Sequence, residues 1–252
     1  MRFISFASGS SGNCALISEG ETNILLDAGI SARRIRDALA ALGLSPGDIS
    51  AVAVTHEHSD HIGGLKAFLK AGCAKVYTSR GTAAALVRSG ADAQRIHTLR
   101  AGETAAAGLL TLTPFATPHD SAESFGYVFE GGGGRLAVIT DLGCVTPEVE
   151  RAAEGCGAAV LEANHDEAML RSGPYPYYLK ERILGSRGHL SNESCAAFAE
   201  FLAGRGMKRL MLAHLSAENN TRELALRAVE ERLRGFPADT APRAAFSAAI
   251  EV

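Results

Sequence analysis

Apolar and polar positions along this chain follow two rhythms. Stretches of period two read as strands, and stretches of period 3.6 read as helices. In the N-terminal half, Phe3 to Phe6, Cys14 to Ile17 and Asn23 to Leu26 read as strands, the last two joined by a Glu19-Gly20-Glu21 turn. Ser31 caps a predicted helix from Ala32 to Leu42, with Ile35, Leu39 and Leu42 on one face. After a Pro46-Gly47-Asp48 turn, Ala51-Val52-Ala53-Val54 is a buried strand, and Asp60 to Gly72 reads as a helix with Ile62, Leu65, Phe68 and Leu69 inward. Lys75 to Thr78 is a strand, Thr82 to Ser89 a helix, and Ile96 to Leu99 a strand-like run holding His97, a structural or surface histidine.

In the C-terminal half, Leu109 to Phe115, Phe125 to Phe129, Arg135 to Thr140, Ala158 to Leu161 and Arg209 to Ala213 read as strands. Helical spacing covers Glu167 to Leu170, Asn192 to Ala203 behind a Ser191 cap, and Glu218 to Arg234, and Ala244 to Val252 reads as a last strand. Two groups of strands, each followed by helices, are compatible with two mixed sheets packed face to face with helices outside. No linker or repeat interrupts the pattern, so a single domain over 1–252 is expected.

Polar residues gather where strands end. Asp27 closes one strand before Ala28-Gly29, where an aspartate also serves as a turn former. His119 follows the rigid Thr117-Pro118 step, well placed as a ligand, and Asp141, Glu162 and His214 each stand just past an apolar run. The densest group is Thr55-His56-Glu57-His58-Ser59-Asp60-His61, with three imidazoles and two carboxylates between His56 and His61. Imidazole and carboxylate are the usual ligands of divalent transition metals. Two histidines two apart, then an aspartate and a third histidine, can face two neighbouring ions from one loop. A solvated polar loop is the bland alternative, but three histidines in six positions is improbable against an abundance of about 2%.

Composition narrows the partners. The chain has 252 residues, 46% hydrophobic and 21% charged, which suits a packed core. A net charge of −3 excludes a strongly basic coat, so any nucleic-acid binding must come from a local patch and metals. Cys14, Cys73, Cys144, Cys156 and Cys195 form no C-x-x-C pair, which points to buried free thiols in a reducing compartment. The N-terminus lacks a long apolar core of a signal peptide, and no run suits a membrane span. A cytoplasmic location away from membranes is expected.

The stretch His56-x-His58-x-Asp60-His61 resembles the metal signature of the metallo-β-lactamase fold. In chain order Asp27, the 56–61 cluster, His119, Asp141 and His214 match that superfamily's five motifs over nearly the whole chain. The resemblance implies an α/β fold, a four-layer αββα sandwich of two mixed sheets with outer helices. It implies two divalent ions per chain, zinc or manganese with iron also accepted. One ion would take His56, His58 and His119, the other Asp60, His61 and His214, with Asp141 bridging. Asp27 would buttress the metal loop without ligating.

Further motifs point to a substrate. Leu161-Glu162-Ala163-Asn164 and Gly188-His189-Leu190-Ser191 resemble paired motifs of the tRNase Z branch, which implies His189 as general acid and Glu162 as its orienter, with Asp60 as the third catalytic residue. The Ser8-Gly9-Ser10-Ser11-Gly12-Asn13 turn, Glu162-Ala163-Asn164-His165-Asp166, the Tyr-Pro segment at 173–178 and Gly188-His189-Leu190-Ser191-Asn192 are similar to YycJ/WalJ-like proteins. That likeness implies a 5′–3′ exonuclease acting on DNA ends. Small residues and hydroxyls at Ser8, Ser10, Ser11 and Asn13 suit either a hairpin turn or a phosphate cradle, and His165 joins the candidate phosphate contacts. Arg171, Lys180, Arg182 and Arg187 are either a solvated face or backbone contacts.

The interval between Asp141 and His214 is too short for the inserted lid domain of RNase J-type nucleases, and no long Gly/Pro-rich arm like that of tRNase Z is present. A compact nuclease is therefore expected over a tRNA-processing enzyme. A small nucleotide phosphodiesterase, a glyoxalase II-like thioester or lactone hydrolase, and a non-catalytic metal-binding regulator remain as competing readings.

Overall fold

The period-two pattern sorts side chains onto two faces of each strand, and the computed structural model shows what each face meets. It describes residues 1–72, 74–247 and 249–252. Cys73 and Ala248, the latter inside the expected last strand, lie outside the described residues.

The first half contains β1 (Arg2–Ala7), β2 (Cys14–Glu19), β3 (Thr22–Leu26), α1 (Ala32–Ala41), β4 (Ala51–Ala53), α2 (Ser59–Ile62), α3 (Leu65–Leu69), β5 (Lys75–Thr78), α4 (Arg80–Arg88) and β6 (Ile96–Thr98). The second contains β7 (Ala105–Ala107), β8 (Leu110–Ala116), β9 (Phe125–Gly131), β10 (Gly134–Ile139), α5 (Pro147–Ala153), β11 (Ala158–Glu162), α6 (Glu167–Ser172), α7 (Tyr177–Leu184), α8 (Asn192–Ala203), β12 (Arg209–Ala213), α9 (Arg222–Arg232), β13 (Ala238–Thr240) and β14 (Ile250–Glu251). The strands make two seven-stranded sheets, β14-β1-β2-β3-β4-β5-β6 and β13-β12-β11-β10-β9-β8-β7. Both are mixed, with β3 to β6 parallel in one and β10 to β13 parallel in the other.

Alternate residues enter different apolar layers. Ile24, Ala51, Ala53, Leu136, Val138 and Val160 meet between the sheets. Their neighbours Leu25, Val52 and Val54 pack outward on α1 and α3 through Ile35, Leu39, Leu65 and Phe68. On the far side Ala137, Ile139, Ala159 and Leu161 pack on α5, α8 and α9 through Val149, Phe198, Leu202 and Val229. Three apolar layers separate four layers of structure, the αββα sandwich expected from the resemblance. Each fully buried Leu, Ile or Phe contributes about 1.5–3 kcal/mol. Tyr127 crosses the middle layer, its hydroxyl donating to the Val54 carbonyl at 2.9 Å, so the second sheet holds the end of β4 in place.

Several boundaries differ from the pattern. The helix expected over Asp60 to Gly72 is two helices, because the Asp60 carbonyl is taken by the Asn13 N–H and not by Gly64, where a Cβ would lie 2.0 Å from the Ile30 carbonyl oxygen. Gly64 instead brings its backbone against the 28–30 loop, donating its N–H to Ala28 O at 2.7 Å. The helix expected from Glu218 starts at Arg222, since Ser216 Oγ accepts from the Asn219 backbone and Thr221 Oγ1 caps Leu224. The last strand shrinks to Ile250–Glu251, and Ser247 ahead of it is held to Ser5 by irregular bonds at 2.9 and 3.0 Å. Short β7, β13, α5 and α7 were not visible in the alternation. The thiols of Cys14, Cys156 and Cys195 are buried and free, while Cys144 is half-buried. No helix among the described residues is long and apolar enough to cross a membrane.

Candidate metal and catalytic site

Strands that run the same way end at the same edge. The ends of β3, β4, β8, β10, β11 and β12 therefore meet at one rim of the sandwich, where the loops carry Asp27, Thr55 to His61, His119, Asp141 and His214, and β11 itself ends in Glu162. Three of these have left-handed backbones, Asp27 (φ 58°), Asp141 (φ 55°) and His214 (φ 56°), the only non-glycine residues so placed among the described residues. That conformation is disfavoured for a side-chain-bearing residue and persists where the surroundings over-determine it. Here it turns the chain sharply at the strand's end, so the side chain stays at the rim.

The histidines are oriented by what they touch away from the centre. Asp27 accepts the Thr55 N–H at 2.9 Å and lies 2.7 Å from His61 Nδ1. Thr55 Oγ1 lies 3.0 Å from His56 Nδ1. His119 Nδ1 faces the Gly188 carbonyl at 3.2 Å, and His214 Nδ1 faces Glu162 Oε1 at 2.7 Å. Each of these four rings thus uses Nδ1 on the protein and turns Nε2 inward, the arrangement that prepares imidazole for a cation. Ligand atoms of His56, His58 and His119 lie within 4.8 Å of one another, as do those of Asp60, His61 and His214, and those of His56, His61 and Asp141.

The inward atoms are short of partners. His56 Nε2, His119 Nε2, His214 Nε2 and Asp141 Oδ2 are buried with no hydrogen-bond partner among the described residues. Leaving a buried polar atom unpaired costs about 1–3 kcal/mol, which a bound cation would relieve. The donor set thus fits divalent transition metals. Burial keeps His56 and His119 below the ordinary histidine range, hence neutral and ready to ligate. Burial would also lower His61 and His214, but Asp141 and the other facing carboxylates reverse this, holding His61 well up and His214 at about 10.

Glu162 is fully buried beneath the site. Its Oε1 takes His189 Nδ1 at 2.8 Å, and its Oε2 accepts the Leu142 and Leu190 N–H groups at 2.9 and 3.1 Å. Burial pushes Glu162 up, but the two histidines bring it down to about 2, so it is ionised. In turn Glu162 outweighs burial and raises His189, which favours its protonated form.

A cleft of about 240 Å³ opens over these groups, lined by His58, Asp60, His119, Asp141, His189 and His214, and by Ser10, Asn164 and residues of α7. Of the expected phosphate contacts, Ser10 alone faces it. Ser8 Oγ accepts the His214 N–H at 2.8 Å, and Ser11 is exposed outside the cleft lining. The Asn13 amide lies 3.0 Å from His61 Nε2 and 3.3 Å from Asp60 Oδ2, so it braces the metal loop. His165 is buried off the cleft, both ring nitrogens without a hydrogen-bond partner among the described residues, and burial lowers it to about 4.

Pattern reading passed over three supports. Thr55 ties Asp27 to two histidines, and Glu57 joins the loop to the next one by accepting the Ala122 N–H at 2.7 Å. Arg187 donates twice to the His119 carbonyl, at 3.0 and 2.7 Å. Of the other basic candidates, Arg182 pairs with Asp120, Arg171 with Glu167, and Lys180 donates to the carbonyls of Arg171 and Gly173. Only the adjacency of Thr55 to His56 could have signalled any of these.

Residues 22–215 match the Beta-lactamase superfamily domain. The exodeoxyribonuclease YycJ of Bacillus anthracis is 36% identical over 241 residues, 94% of this chain and 91% of that one. The exodeoxyribonuclease WalJ of Streptococcus pneumoniae is 36% identical over 87% of this chain and 83% of its own. Zinc-bound PqqB from Methylobacterium extorquens shares the fold, with a TM-score of 0.76 over 100% of both chains at 20% identity.

Proposed function

This chain belongs to the beta-lactamase superfamily, and from that premise we propose a metal-dependent 5′–3′ exonuclease that hydrolyses phosphodiesters at DNA ends. The relatives named exodeoxyribonucleases support the substrate class. The convergence of four Nε2 atoms, each fixed by an Nδ1 contact, is the observation that carries the metal chemistry.

In this reading His56, His58 and His119 would hold one divalent cation and Asp60, His61 and His214 a second, with Asp141 available to either set. Zinc and manganese both suit this donor set, and iron is also accommodated. When bound there, such ions would supply Lewis acidity for phosphodiester hydrolysis.

The chain's own groups do the rest. Asp60 is partly open to the cleft and, although burial would raise it, His214 and His61 keep it ionised. Ionised and open to the cleft, it is placed to orient the water by accepting its hydrogen bond. His189 delivers a proton from Nε2 to the departing sugar oxygen, with Nδ1 held by Glu162. An alkoxide leaves poorly without such an acid, whereas a thiolate leaves without help. The Glu162–His189 pair thus favours a phosphodiester over a thioester. Ser10, at the cleft, is the hydroxyl placed to meet a substrate phosphate.

The test is digestion of end-labelled double-stranded DNA, with and without a 5′-phosphate, in manganese or zinc. Asp60→Ala and His189→Ala run beside the wild type. Nucleotides released from the 5′ end only with metal, and lost in both variants, are the expected result. Inert DNA together with a thioester or lactone that His189→Ala still hydrolyses would overturn it.

A further inference from the structure

One wall of the cleft is α7 with the turn before it. Leu179, Arg182 and Ile183 line the cleft, and their spacing puts them on one helical face. Among the described residues Arg182 is the one lysine or arginine in that lining. The other basic side chains nearby are engaged elsewhere: Lys180 on the carbonyls of Arg171 and Gly173, Arg171 on Glu167, and Arg187 on the His119 carbonyl. A phosphodiester chain entering the cleft therefore meets a single guanidinium, in a protein whose net charge of −3 gives no general attraction.

What aims that guanidinium is Asp120. Its Oδ2 accepts from Arg182 Nε, while its Oδ1 lies 3.4 Å from His119 Nε2. One carboxylate thus ties α7 to a candidate metal ligand and sets how far the guanidinium stands from it. The bond uses Nε alone, and no hydrogen bond within the described residues engages Nη1 or Nη2. Those two groups remain as the forked donors that a guanidinium offers to a phosphate. The reacting phosphate belongs with the cations, at the inward Nε2 atoms. Arg182 stands one carboxylate beyond that set, and the phosphates of a strand recur about every 3.4 Å along its axis, so the guanidinium is spaced for a neighbouring phosphate.

We propose that Arg182 binds a substrate phosphate next to the scissile one, and that Asp120 is its positioning residue. This rests on the phosphodiesterase reading above. The contact reads backbone and not base, so it serves every sequence alike. It is made equally in the bound substrate and in the transition state, so its loss should fall on KM with kcat kept.

The test uses metal-loaded full-length protein and end-labelled DNA. Arg182→Gln should raise KM about tenfold with kcat kept, and should lower the slope of log KM against log salt by about one, as the loss of one phosphate contact requires. Arg171→Gln, off the cleft, serves as control and should match the wild type in both. A neutral methylphosphonate, moved one position at a time along the strand, should make wild type and Arg182→Gln equal at one phosphate beside the scissile bond. Asp120→Asn should raise KM with the salt slope kept, because the guanidinium keeps its charge, and should add nothing to Arg182→Gln. An unchanged KM or salt slope in Arg182→Gln, or no methylphosphonate position that removes the difference, would overturn the subsite while leaving the nuclease. A further loss when Asp120→Asn is added to Arg182→Gln would overturn the positioning role. DNA left uncut by the wild type would overturn the subsite and the nuclease together.

Discussion

Glu162 accepts from His214 Nδ1 at 2.7 Å through the same Oε1 that meets His189 Nδ1 at 2.8 Å. One buried carboxylate therefore positions both the candidate acid and a candidate metal ligand. Replacing it by an amide should damage two functions that replacing either histidine would separate.

Glu162→Gln is expected to lower phosphodiester hydrolysis by about 10²–10⁴-fold through His189 and to weaken the second cation about 10–100-fold through His214. His189→Ala should lose comparable activity yet keep its metal content. Metal content after dialysis and turnover of each variant decide the matter. A fully metallated Glu162→Gln would show that His214 needs no such support.

Arg187 should act on the other cation. Its two bonds fix the carbonyl of His119, and that residue's ring faces Gly188 O. Arg187→Ala is expected to weaken binding at the His56, His58 and His119 site about tenfold. Arg187→Lys should recover little, because a lysine cannot reproduce the planar pair of donors. Titration of chelated protein with zinc would show one site shifted and the other kept; two unshifted sites would remove Arg187 from the account.

Protons and cations compete for the same rings. His214 sits at about 10 in the folded chain against an ordinary 6.5, with burial opposing and Asp141, Asp60 and Glu162 prevailing, and His61 is displaced the same way. A group raised on folding binds more protons folded than unfolded. Its stabilisation is complete below about pH 6.5 and is lost as pH climbs toward about 10. Burial raises the thiols of Cys14, Cys156 and Cys195, which adds to the loss above their ordinary value of 9.0. Chelator-treated protein should thus show a falling Tm from pH 6.5 to 10, while metal-loaded protein, with its ligands already deprotonated, should hold steady up to about pH 9.0 and fall only beyond it, with the thiols. A Tm of the chelated protein that rises across that window would contradict these histidine environments.

What could be read from residues alone followed physical periodicity. Apolar runs such as Ala51 to Val54 and Ala158 to Leu161 ended in polar residues, and strands running one way brought those ends together. The helix at Asn192 to Ala203 was legible from its Ser191 cap and spacing. Contacts made through backbone carbonyls were not: Arg187 on His119, or Gly64 against Ile30, leave no periodic trace. Nor did Ser8 and Asn13 announce that their polar atoms face inward, because a turn and a phosphate cradle use the same small residues. The left-handed backbones at Asp141 and His214 depend on distant packing and are equally silent in the sequence.

Close backbone approach offers the sharpest separation between fold and site. A Cβ on Gly29 would stand 1.6 Å from the Asp60 carbonyl oxygen and 2.8 Å from the Asn13 nitrogen. Both belong to backbone, which yields less readily than a side chain. The Asn13 N–H donates to that same Asp60 carbonyl at 2.7 Å, and the Gly29 N–H donates to Asn13 O at 2.8 Å. Gly29→Ala must therefore push the 58–61 loop away from the Ser-Gly turn, an overpacking cost of about 1–3 kcal/mol. The sandwich cores lie on other faces, so the variant should fold with a lowered Tm. Asp60 and His61 would move while His56, held by Thr55 at the end of β4, would stay. Weakened binding of the second cation with the first retained is the expected titration, together with a loss of hydrolysis. Wild-type affinity at both sites in Gly29→Ala would mean that the loop adapts without moving its ligands, and that the contact is structural alone.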